Sequence, residues 1–185
     1  MSDFKDLSMQ AKWYALRDLK RPNAKLPGYK LLEEELRMRV FIPKKEKLLM
    51  KNGKKVKMEV PVIPDLLFVH DTLENVRHIV EKTETLQFRY KRGGRQHEPI
   101  VVPDYDMERF IHAVEVSGKA KYYLPEDLTS QMCGRRIRVV GGPMDGSEGT
   151  LLTIRGSKTR RLLVELPGFF SVGVEVNPEY IHLLE

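Results

Sequence analysis

One cysteine in 185 residues leaves Cys133 without a partner for an internal disulfide. The five histidines are scattered, and none stands at zinc-type spacing from that cysteine, so no metal site is expected. No apolar run approaches the ~20 residues that a membrane span needs. The opening Met1-Ser-Asp-Phe-Lys-Asp has no apolar core of the signal-peptide kind. A cytoplasmic protein with no membrane contact and no cofactor is the expectation. Catalytic groupings are lacking too. Glu33, Glu34 and Glu35 are consecutive and cannot converge on one point of a helix surface. Gly141-Gly142-Pro143-Met144-Asp145-Gly146 lacks the Lys-Ser/Thr step of a phosphate loop. The chain does not read as an enzyme.

What is present is a globular balance, 41% hydrophobic and 31% charged. The length allows one ordinary domain or two small ones. Net charge is +6, from 32 basic against 26 acidic residues. That surplus favours polyanionic partners, but the acids are too many for a chain that coats DNA uniformly.

The pivot of the first half is Pro61-Val-Ile-Pro-Asp-Leu-Leu-Phe-Val69. Leu66 to Val69 form a continuous apolar run, as a central strand buried on both faces requires. Pro61 and Pro64 mark an edge, a bulge or the entry to the strand. Before it, Lys12 to Arg17 reads as a first strand, and Pro27-Gly28 opens a helix reaching about Met38, with Tyr29, Leu32 and Leu36 at helical spacing. Val40-Phe41-Ile42 starts a second strand. Lys51-Asn52-Gly53-Lys54 is a type I′ hairpin turn, because Asn-Gly accepts two positive φ angles. Its arms carry Lys44, Lys45, Lys47, Lys51, Lys54, Lys55 and Lys57. That charge either keeps an exposed edge from aggregating or touches nucleic acid.

After the central strand, Asp71 or Thr72 caps a helix with Leu73, Val76, Ile79 and Val80 on one face. Leu86 to Lys91 and Glu98 to Val102 read as strands around Gly93-Gly94. Pro103 starts a last helix striped by Met107, Phe110, Ile111 and Val114. Residues 117–133 show neither helical nor strand periodicity and read as a linker. From Gly134 the texture changes to short alternating strands between glycine turns, an all-β barrel. The fold class is α+β: an α/β sandwich over 10–116, a linker over 117–133, and a small β-barrel over 134–185.

Both halves resemble known modules. Gly134-Arg-Arg-Ile-Arg-Val-Val-Gly-Gly-Pro-Met-Asp-Gly-Ser-Glu-Gly149 resembles the KOW motif of SH3-like barrels. Trp13-Tyr14, Phe41-Ile42-Pro43 ahead of the lysine hairpin, and Val62-Ile63-Pro64-Asp65-Leu66-Leu67-Phe68-Val69 resemble the NusG N-terminal (NGN) domain. The two in this order resemble a NusG-like transcription elongation factor. The resemblance implies a non-enzymatic protein that binds RNA polymerase at the clamp helices of its largest subunit and promotes processive elongation or antitermination.

Carried onto this sequence, the resemblance implies a polymerase-binding depression lined by Tyr14, Ile63, Leu66, Phe68, Phe88, Tyr90 and Ile100. Ile63, Leu66 and Phe68 are expected to face outward as its anchors. It implies contact with non-template DNA through Arg17, Lys20, Arg21 and Lys25, and a second polymerase contact at Arg77 and His78. The chain departs from the family pattern at Asp65-Leu66, where Gly-Tyr is usual, and at Met144 and Ser147, where aromatics are frequent. The last two count against contact with ribosomal protein S10. Such departures suit a specialised paralogue, akin to the antiterminators of long polysaccharide operons. A ribosome- or RNA-binding KOW protein acting in translation is the rival reading.

Overall fold

The computed structural model describes residues 10–20, 26–93, 97–118 and 120–184. It is a mixed α/β chain that divides into two units, Met1–Asp104 and Tyr105–Glu185.

The first unit is built on an antiparallel sheet. Strand β1 (Lys12–Asp18) lies at its centre and pairs with β5 (Leu66–Asp71), β6 (Leu86–Phe88) and β7 (Val101–Val102). Strand β2 (Arg39–Phe41) extends the sheet beyond β5. The continuous apolar run of β5 has the predicted cause: Leu66, Leu67, Phe68 and Val69 are all buried, so both faces of the sheet are covered. On one face Tyr14 and Leu16 join Leu67, Val69, Leu32, Val76, Leu86 and Phe88 in a core. Pleating sends the intervening residues Trp13, Ala15, Leu66 and Phe68 to the other face, where they are also buried.

Helix α1 (Gly28–Lys30) departs from expectation. It continues as a π-helical segment, Leu31–Glu35, in which the Leu36 amide donates to the Leu31 carbonyl five residues back. The wider turn rotates Leu36 off the buried face, and it is 46% exposed. Met38 packs on the core in its place. Arg37, with φ 53, ends the element before the predicted limit. Helix α2 (Leu73–Lys82) is capped by Thr72, whose hydroxyl accepts from the Asn75 amide at 3.3 Å. Strands β3 (Lys44–Lys51) and β4 (Lys54–Pro61) form a separate two-stranded sheet, with Asn52 at φ 51 and Gly53 at φ 74 as the I′ turn demands.

The second unit takes in helix α3 (Asp104–Val116) from Tyr105 onward and a six-stranded antiparallel sheet. Its strands are β8 (Lys121–Tyr123), β9 (Cys133–Val139), β10 (Glu148–Leu152), β11 (Arg161–Leu166), β12 (Phe170–Glu175) and β13 (Ile181–Leu183), in the order β13-β9-β10-β11-β12-β8. Strand β8 falls inside the stretch read as a linker. Three residues are too few to show periodicity, and pairing with β12 is what makes them a strand. The Phe110 ring of α3 meets Tyr122 at 6.4 Å and Phe170 at 5.5 Å. Helix and sheet therefore share a core.

Candidate functional site

The turn between β4 and β5 organises the first unit's surface. Pro64 cannot donate to a ladder, and the Leu66 amide instead closes a tight turn onto the Ile63 carbonyl at 3.2 Å. Asp65, at the apex, is held three ways. Its carbonyl accepts from the Asp18 amide at 2.9 Å, and its two carboxylate oxygens accept from Arg17 Nε and Arg89 Nη2, each at 2.8 Å. The register explains the meeting: Arg17 stands opposite both Leu66 and Gln87, so β1 carries its guanidinium between the turn and β6. Residue types alone mark Asp65 only as a departure from the usual Gly and single out nothing at Arg89. Only the strand pairing brings them together.

A second feature is an aromatic row. Tyr14 meets Phe88 edge-on at 6.1 Å, Phe88 meets Tyr90 at 6.2 Å, and Tyr90 meets His97 at 5.5 Å. The row runs from the core, where Tyr14 is 4% exposed, to the surface, where Tyr90 is 44% exposed. Burial pushes the Tyr14 phenol above its ordinary value near 10, with the nearby Arg77 charge pulling the other way.

The structure thus separates the seven residues expected to line one depression. Tyr14 and Phe88 share a face of the sheet with each other, and Leu66 and Phe68 occupy the opposite face. A strand's side-chain period of two allows no other arrangement once Tyr14 pairs with Val69 and Ala15 with Phe68. Leu66 and Phe68 do not face outward as expected: they are 3% and 0% exposed and pack as core. Ile63 is half-buried at the turn. Ile100 is half-buried too, its amide donating to Arg89 and its carbonyl accepting from Ala15.

Among the basic residues, Arg17 is engaged by Asp65, and Lys20 Nζ donates to the Leu26 carbonyl at 2.9 Å. Arg21 and Lys25 lie outside the described residues. Buried Asp18 accepts from the amides of Lys20 and Gly28 at 2.9 and 2.6 Å, holding these two residues close together. Arg77 and His78 are exposed on α2. In the second unit, a cleft of about 480 Å³ is lined by Val139, Met144, Val174, Val176 and Tyr180 among others. Met144 is buried within it.

No curated protein matches the chain. Among solved structures it is similar to one described as "Domain interaction in Thermotoga maritima NusG", at 15% identity and a TM-score of 0.49 over 96% of this chain and 99% of that one. A family model described as "Transcription termination factor nusG" matches residues 11–111, more than half of the chain and nearly all of the unit that carries the Asp65 turn and the aromatic row. On that match the chain belongs to the NusG family of transcription elongation and termination factors.

Proposed function

We propose that this protein binds RNA polymerase as a non-enzymatic elongation factor and favours processive, antiterminated transcription. The family match over residues 11–111 supports a role in transcription elongation; the antiterminating direction comes from the resemblance of the sequence to specialised paralogues. Accessibility favours three of the expected residues as the contact. Ile63 at the clamped turn, Tyr90 at the surface end of the aromatic row and Ile100 beside Arg89 offer apolar surface. Phe88, backed by Tyr14, supports Tyr90 from beneath, while Leu66 and Phe68 are core on the opposite face of the sheet. The contact sought is with an amphipathic helical tip such as the polymerase clamp helices, whose apolar side chains seat on exposed anchors of this kind.

Capture of core RNA polymerase by the full-length protein tests the proposal. Ile63→Asp and Tyr90→Asp each place a carboxylate against an apolar partner and are expected to weaken capture about a hundredfold, with melting close to that of the parent. Capture unchanged in both variants removes these residues from the interface. Capture of RNA without polymerase favours the translational KOW reading instead.

A further inference from the structure

The hairpin of β3 and β4 is not absorbed by the polymerase contact, yet it holds most of the chain's charge imbalance. Seven lysines against two glutamates over residues 44–61 leave +5 of the net +6. The ribbon pairs with no other strand among the described residues. Its root is fixed: the Val62 amide donates to the Pro43 carbonyl at 2.8 Å, and Lys44 Nζ lies 5.5 Å from the centre of the Tyr29 ring. Eight-residue arms reach roughly 26 Å from that root.

Register sorts the charges. Glu46 and Glu59 stand opposite each other near the root. From Lys47 to Met58 there is no acid, and five lysines remain. Lys47, Lys51 and Lys54 share one face of the ribbon, and Lys55 and Lys57 share the other. All five are exposed; among the described residues only Lys57 has a carboxylate partner, Glu46 at 3.1 Å, and both members of that pair are about 70% exposed. A ribbon laid flat on a polyanion needs cations on one face. Cations on both faces of an acid-free tip suit insertion between two walls of phosphate.

We propose that this ribbon is a sequence-independent DNA arm that enters the major groove of a duplex. The B-form major groove, about 12 Å wide, admits a two-stranded ribbon. The deep, narrow major groove of A-form RNA does not, and a single strand has only one wall. Leu48 and Met50, 61% and 66% exposed among these lysines, supply apolar contact for the groove floor. The inference is independent of the polymerase contact, since none of these residues belongs to it.

The test is a fluorescence anisotropy titration of the full-length protein against a mixed-sequence DNA duplex, a DNA single strand and an RNA duplex of equal length, over a range of salt. The DNA duplex is expected to bind tightest. Replacing Lys47, Lys51 and Lys54 by Gln should weaken it about tenfold or more at low salt. The same is expected for replacing Lys55 and Lys57. Each change should flatten the log–log salt slope by about 0.9 per lysine removed. Arginine at all five positions keeps the charge and should keep the binding. Loss from one face only, no loss from either, loss in the arginine variant, or equal affinity for RNA or single strand would each overturn the proposal.

Discussion

Asp18 shows how one buried residue can hold several backbone groups of the first unit together. Its carboxylate receives the backbone amides of Lys20 and Gly28, while its own amide fixes the Asp65 turn. Gly28 is required by closeness: a Cβ there would stand 2.6 Å from Leu86 Cδ2 and 2.9 Å from Asp18 Oδ2. Asp18→Ala leaves two amides unpaired and is expected to cost about 1–3 kcal/mol. Gly28→Ala should cost a similar amount by overpacking, about 1–3 kcal/mol. Because both act on one contact, the double variant should lose less than the sum, which chemical denaturation of the four proteins measures. Full additivity would mean that the two residues stabilise the fold separately. Nothing in the sequence marks this pairing, since ten residues separate Asp18 from Gly28 and no local motif joins them.

At the scale of elements, what the sequence showed was what local chemistry controls. Asn52-Gly53 dictates its turn, Thr72 its cap, and the apolar run of β5 its double burial. The misses lie where distant residues decide. The face of Leu66 and Phe68 depends on how β1 and β5 register, and β8 exists only because β12 accepts it as a neighbour. The π segment is a separate case: a period of 3.6 residues put Leu32 and Leu36 on one buried stripe, and the wider turn does not keep them there. Leu32 is 1% exposed and Leu36 46%. Leu32→Ala should therefore cost about 2–5 kcal/mol by leaving a cavity, whereas Leu36→Ala should change stability by less than about 0.5 kcal/mol. Equal losses in a denaturant titration would restore the regular helix that the spacing suggested.

For the molecule as a whole, composition places the boundary between units at a different point from packing. The change of texture at Gly134 suggests that the second unit begins there. The contacts begin it at Tyr105, and they are substantial: Phe110 of α3 meets both Tyr122 and Phe170, and β8 covers the free edge of β12 through the pairs Ser171 with Tyr123, Val172 with Tyr122 and Gly173 with Lys121. A fragment of residues 134–185 would lose both the helix and that strand. It would expose Phe170, 2% exposed in the whole chain, together with the unpaired amides of β12. The fragment 105–185 keeps them. The expected outcome is a cooperative, reversible melt for 105–185. The shorter piece should melt at least about 10 °C lower, since losing an aromatic contact and an edge strand removes several kcal/mol from a small unit. Scanning calorimetry on both fragments measures this. Equal melting temperatures would show that α3 and β8 are passengers, and that the boundary lies at Gly134 after all.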